Sequence, residues 1–79
     1  MKKQQVVYCL YVNLTTSYIS FKIEKGKFLE KVEKISKKEY YAVEHYDDTV
    51  NYLQMEDIFR TEAEAYKALI KMLEKKLLK

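Results

Sequence analysis

The stretch Asp57-Ile58-Phe59-Arg60-Thr61-Glu62-Ala63-Glu64-Ala65 constrains this chain more than any other. Thr61 is a natural N-cap, and Glu64, three positions on, completes a capping box that satisfies backbone N–H groups left unpaired at a helix start. Glu62 and Glu64 also lie where the helix dipole favours negative charge. The predicted helix spans 62–78. Tyr66, Leu69, Ile70, Leu73 and Leu77 recur at helical spacing as an apolar stripe, widened by Ala65, Met72 and Leu78, with Lys67, Lys71, Glu74 and Lys75 pointing away. Lys75, Lys76 and Lys79 complement the negative end of the dipole. A helix with one apolar stripe needs a surface to lie on, and the residues before it supply strands.

Residues 5–57 are strand-rich. In Gln5–Asn13 both alternating sets are apolar, which reads as a central strand. After the polar break at 14–17, Ile19, Phe21 and Ile23 alternate with Tyr18, Ser20, Lys22 and Glu24 as a half-buried strand. Glu24-Lys25-Gly26-Lys27 reads as a hairpin turn, since glycine takes the positive φ that a reversal requires. Phe28–Ser36 is ambiguous between helix and strand. Its apolar spacing is helical, but it lacks an N-cap and follows a turn, so it is assigned to a strand with an irregularity near Val32–Ile35. Lys37-Lys38-Glu39 turns the chain into a strand over Tyr40–Tyr46, Asp47-Asp48-Thr49 forms a turn, and Val50–Asp57 alternates as a fifth strand.

These elements predict one α+β domain over 1–79: a curved antiparallel sheet of four or five strands, able to close toward a small barrel, packed by one C-terminal helix. An apolar share of 48 % with eight tyrosines supports a folded chain. With no proline and Gly26 alone among glycines, turns fall to Asn, Asp, Ser, Thr and Lys, and hairpins longer than the tightest kind are expected. Cys9 is the single cysteine, so no intramolecular disulfide forms, which suits a reducing cytoplasm. No stretch approaches the roughly 20 apolar residues of a membrane span, and no signal-peptide cleavage site follows the first apolar run.

No catalytic, cofactor or metal constellation is visible, and an enzyme is not expected. His45 has Glu44, Asp47 and Asp48 nearby in sequence, but alternate strand residues point to opposite faces, so Glu44 and His45 cannot share one ion. A partly exposed histidine on a sheet rim is the simpler reading. Cys9 lies in an apolar strand, where burial raises a thiol pKa and suppresses reactivity. One glycine cannot build a phosphate loop or a nucleophile elbow.

Charge carries the remaining functional signal. Residues 1–38 hold nine lysines and three acids, residues 39–66 eight acids and Arg60, and residues 67–79 five lysines and Glu74. Such blocks can simply pair into a solvated surface. The sharper reading is protein recognition through an acidic, tyrosine-bearing edge: Tyr40, Tyr46, Asp47, Asp48, Tyr52, Glu56 and Asp57. Tyrosine offers contact area at low entropic cost and acids steer the encounter. The alternative is nucleic-acid binding through Lys22, Lys25, Lys27, Lys31, Lys34, Lys37 and Lys38, with Tyr18 or Phe28 as stacking platforms. Interspersed glutamates, a net charge of +3 and a single arginine weaken it. A homodimer through an uncovered sheet edge is a further expectation for so small a core.

Residues 58–65, preceded by Gly26-Lys27 and a strand-rich middle, resemble the tails of short uncharacterised proteins of bacteriophages and mobile elements in low-GC Gram-positive bacteria. The resemblance covers about the final quarter. It implies a small cytoplasmic accessory factor that binds and modulates a host protein, for example an anti-CRISPR or other anti-defence inhibitor of a nucleic-acid-directed nuclease.

Overall fold

The computed structural model describes residues 2–15 and 17–77, with all of their side chains except that of Lys31. Its strands are β1 (Val6–Leu14), β2 (Ile19–Ile35), β3 (Lys38–His45), β4 (Val50–Leu53) and β5 (Ile58–Phe59), followed by the helix α1 (Glu62–Leu77). They form one antiparallel sheet in the order β4-β3-β2-β1-β5. The sheet curls so far that the Asn51 amide of β4 reaches the Tyr11 hydroxyl of β1. The α+β class and the single helix agree with the sequence reading; Leu78 and Lys79 lie outside the described residues.

The inner face of the curl is set by register. Val7 pairs with Gly26 and Gly26 with His45; Phe28 pairs with Val43 and Tyr41 with Leu53. Val7, Cys9, Phe28, Val43, Leu53 and Ile58 make the buried core, flanked by Tyr11 and Tyr41. The opposite set of β1 faces α1, which packs on β1 and β5. Leu10 is buried there, as are Ala65 and Leu69 of the helix. This explains why both sets of β1 are apolar: one lines the curl and the other lies on the helix side.

Gly26 is not at a turn. β2 runs straight through it for 17 residues. Its φ is not positive, and its role is steric. A Cβ there would sit 2.7 Å from Val43 Cγ1, 2.8 Å from the Glu44 carbonyl oxygen and 2.9 Å from His45 Nδ1. Missing side-chain volume, rather than backbone freedom, selects glycine where β3 crosses the strand so closely.

The irregularity in β2 lies between Phe28 and Val32, earlier than the spacing predicts. From Phe28 to Val32 the strand advances four residues while β3 advances two, from Val43 to Tyr41. Glu30 takes a φ of 55° inside this bulge. The incoming chain fastens to it: the Phe28 N–H donates to the Gln5 carbonyl at 2.9 Å, and the Lys3 N–H to Glu30 Oε1 at 3.0 Å. Residues 28–35 are therefore strand, their helical spacing overridden by pairing with β3.

The next turn is tighter than predicted. It consists of Ser36 and Lys37 alone, with φ values of 51° and 70°, the handedness that a two-residue hairpin requires. The predicted fifth strand over Val50–Asp57 also breaks. β4 ends at Leu53, and Met55–Asp57 form a 3-10 turn closed by the Asp57 N–H on the Gln54 carbonyl at 2.9 Å. That turn carries the chain to β5, where Ile58 pairs with Cys9 and enters the core.

The helix starts as its signature predicts: the Glu64 N–H donates to Thr61 Oγ1 at 3.1 Å. Its other end is fastened by Lys76, whose ammonium donates to the Thr15 carbonyl. The expected covering stripe is only partly used. Ala65 and Leu69 are buried, whereas Tyr66, Ile70 and Leu77 are 45 %, 53 % and 75 % exposed. A helix lying over β1 and β5 leaves the flank of its stripe uncovered. Among the described residues no helix is long and apolar enough to cross a membrane.

Candidate functional site

Three polar regions grow out of this architecture. The first is a network at the inner face around His45. This residue is 3 % exposed, which overturns the expectation of a partly exposed rim histidine. Its Nδ1 faces the Lys25 carbonyl at 3.1 Å, an atom that can only accept, so Nδ1 carries the proton of the neutral ring. Nε2 then accepts from the Tyr11 hydroxyl at 2.7 Å, and Asn51 Nδ2 donates to that same hydroxyl at 3.0 Å. Each ring nitrogen thus has a partner, one from β2 and one from β1, and β4 supplies Asn51 behind Tyr11. Glu24 Oε2 lies 3.6 Å from Nε2 and 3.6 Å from Lys22 Nζ, while Lys22 sits 5.4 Å above the Tyr11 ring centroid. Burial pushes the Tyr11 hydroxyl up to about 12, against the lowering effect of Asn51. Burial likewise pushes the Cys9 thiol up to about 12, helped by the nearby charges of Glu24 and Asp57. Both groups stay protonated at neutral pH. Tyr11, Asn51 and Glu24 carry no sequence signal of this network, since the bond between Tyr11 and His45 spans 34 positions.

The second region is the turn between β3 and β4. Tyr46 is 65 % exposed, and Asp47 and Asp48 are exposed beside it. Asp47 Oδ1 accepts from the Thr49 N–H at 3.3 Å and the Thr49 hydroxyl at 2.6 Å, bonds that hold its carboxyl below the ordinary value. Asp48 takes a φ of 65°, a conformation that aspartate tolerates in turns. Tyr46 and Asp47 share a shallow depression with Ile23, Glu24, Lys25 and His45, so this turn abuts β2.

The third region is a cleft. β5 pairs only with Tyr8 and Cys9, so among the described residues β1 has no strand beside it on that side from Leu10 onward. β4 is the other edge of the sheet. Between these edges lies a cleft of about 310 Å³ lined by Leu10, Tyr11, Val12, Tyr40, Tyr52, Leu53, Gln54 and Asp57. Burial, and then the neighbouring charge of Glu56, push the Asp57 carboxyl above its ordinary value. The cleft combines aromatic faces with a partly desolvated acid.

The acidic, tyrosine-bearing set is therefore split. Tyr40, Tyr52 and Asp57 meet in the cleft, and Glu56 is exposed next to them in the 3-10 turn. Tyr46, Asp47 and Asp48 form the separate β3–β4 turn. The lysines are distributed as well. Lys22 lies on the inner face with Glu24, while Lys25 and Lys27 occupy the alternate set and point outward. Lys34 stands 4.0 Å from Glu39 beyond the bulge, and Lys37 and Lys38 are at the hairpin tip. The side chain of Lys31 lies outside the described residues. Phe28, one of the two proposed stacking platforms, is 3 % exposed and packs at 5.9 Å against Tyr41, so it cannot receive a base. Tyr18, the other, is 57 % exposed. Among the described residues no group of three metal-ligating side chains converges.

Comparison with protein-family models, curated proteins and solved structures found no match to this chain.

Proposed function

We propose that the chain is a non-enzymatic recognition module that modulates a protein partner by taking a basic segment of it into the cleft between β1 and β4. The observation that carries this reading is the convergence of Tyr40, Tyr52 and Asp57 on one cleft, from three separate elements. Aromatic faces attract a lysine or arginine head group, and a carboxylate beside them supplies the counter-charge. The raised pKa of Asp57 strengthens the argument. A cation arriving beside that acid would offset the desolvation that raises it, so binding and the ionised form favour one another. The exposed Tyr46-Asp47-Asp48 turn adds steering charge at a distance. Proteins with a basic groove carry segments of this chemistry, a host's nucleic-acid-directed defence nuclease among them.

A nuclear magnetic resonance titration of the full chain with an unstructured arginine- and lysine-containing peptide tests this. Saturable shifts are expected at Tyr40, Tyr52 and Asp57, and their loss in Tyr52→Ala and Asp57→Asn. Replacing Asp47 and Asp48 with asparagine should slow association while leaving those shifts in place. Absence of saturable shifts, or shifts confined to the β3–β4 turn, sinks the reading.

A further inference from the structure

A second surface is defined by hydrogen-bond accounting along β2. The Phe28 N–H and carbonyl both bond toward the β1 side, to Gln5 and Gln4. The β1–β2 register is unbroken from Ile19 to Lys27, so residues 20, 22, 24 and 26 turn their backbone groups toward β1. Residues 19, 21, 23, 25 and 27 turn theirs the other way. On that other side β3 pairs with β2 only from Gly26 onward, and the Lys25 carbonyl is taken by His45. Among the described residues, no hydrogen bond reaches the outward N–H and carbonyl groups of Ile19, Phe21 or Ile23. Beside them Ile19 is 42 % and Phe21 49 % exposed.

We propose that two copies of the chain join along this edge, β2 to β2, antiparallel over Ile19–Ile23 and about a two-fold axis at Phe21. Within Ile19–Ile23 the edge has no proline, no bulge and, among the described residues, no covering strand, and Lys22 is its single charge. It is also self-complementary. With Phe21 opposite itself, Ile19 lies opposite Ile23 of the second copy, Ser20 opposite Lys22, and Tyr18 opposite Glu24. Apolar residues meet apolar ones and no like charges face each other. The outward groups recur at every second residue symmetrically about Phe21, so the reversed strand matches each donor with an acceptor. Any extended strand could match those backbone groups, but a foreign one would need a complementary set of side chains, which the second copy carries by construction. The exposed Tyr46 and Asp47 border Ile23–Lys25, where Tyr18 of the second copy would arrive. The surface is distinct from the cleft, so this inference does not depend on the recognition reading.

Light scattering coupled to size-exclusion chromatography should give twice the mass of one chain at high loading, falling toward the single mass on dilution. Amide exchange on the unmodified protein should slow at Ile19, Phe21 and Ile23 as concentration rises, with Ser20 and Lys22 protected throughout. Phe21→Pro removes an outward N–H that the single chain does not use, and should give a folded monomer. Ser20→Pro removes an N–H bonded to β1 and should unfold the chain. Phe21→Lys keeps the backbone but sets two like charges on the axis, and should also yield a monomer if the proline variant fails to fold. A single-chain mass at every concentration overturns the proposal. So does a dimer that survives both Phe21 variants yet dissociates on Ile70→Lys, which would place the contact on the exposed flank of α1.

Discussion

Tyr11 and His45 are joined by a hydrogen bond of 2.7 Å that ties β1 to β3 over the strand between them. The Lys25 carbonyl fixes the proton on Nδ1, so Nε2 depends on the Tyr11 hydroxyl. Tyr11→Phe removes that donor and leaves a buried ring nitrogen without its partner, at an expected cost of about 1–3 kcal/mol. Asn51→Ala removes only the donor behind it, and the exposed hydroxyl side can recruit water, so a loss nearer 1 kcal/mol is expected. Urea unfolding of both variants and their double mutant checks this; strictly additive losses would show that the three groups do not act as a chain.

Gly26 gives the sharpest steric prediction. A methyl group there meets Val43 Cγ1, the Glu44 carbonyl oxygen and His45 Nδ1, all under 3.0 Å. Gly26→Ala should destabilise by about 1–3 kcal/mol, despite alanine's lower chain entropy. Val43→Ala should relieve only part of the strain in the double variant, because the Glu44 carbonyl belongs to the backbone and cannot swing aside. A wild-type unfolding midpoint for Gly26→Ala would refute this account of the glycine.

The same residue shows what the sequence could and could not convey. Lone glycine between charged residues is the pattern of a turn, and only the crossing of β3, set by residues some 20 positions away, reveals a packing constraint instead. The capping box at Thr61, the two-sided apolar pattern of β1 and the burial of Cys9 were legible, because each depends on local spacing or on a single strand's composition. The bulge after Phe28 and the break after Leu53 were not, because tertiary pairing decides them. The cleft was half legible. Tyr40, Tyr52 and Asp57 stand out in sequence, but their separation from Tyr46, Asp47 and Asp48 follows from the curl of the sheet. His45 reads as a rim residue until Tyr11 and Asn51 are brought to it.

The Ser36-Lys37 turn stores backbone strain that a better turn pair should release. Both residues hold positive φ, which costs a side-chain-bearing L-residue roughly 1–2 kcal/mol each. Ser36→Asn with Lys37→Gly supplies the pair that a two-residue hairpin prefers, and a gain of about 1 kcal/mol in urea unfolding is expected. An unchanged or lowered midpoint would mean that the native pair is held by contacts at the hairpin tip.

At the helix start, Thr61→Ala deletes the acceptor for the Glu64 N–H and should cost about 1 kcal/mol, while Thr61→Ser should cost little. The loss should appear as faster amide exchange at Glu62, Ala63 and Glu64 before the sheet opens. Uniform acceleration over the whole chain would instead indicate that the helix and sheet unfold as one unit.

Alkaline pH should unfold the protein through two groups of the inner face. Cys9 and Tyr11 have ordinary values of 9.0 and 10.0 and are each held up to about 12 by burial. Between those limits the unfolded chain releases protons that the folded chain still binds, so stability falls as pH rises from about 9 to 12. Below pH 9 both states keep these protons and neither group contributes a pH dependence. Tyr11→Phe removes one of the two titrations, so the stability gap between wild type and this variant should narrow steadily above pH 10. Cys9 adds an independent readout. Its thiol should resist alkylation at pH 8 and react only at the rate of opening, so that denaturant accelerates labelling in step with unfolding. Rapid labelling of the folded chain, or a stability gap for Tyr11→Phe that is constant from pH 7 to 12, would place these side chains in water rather than in the curl of the sheet.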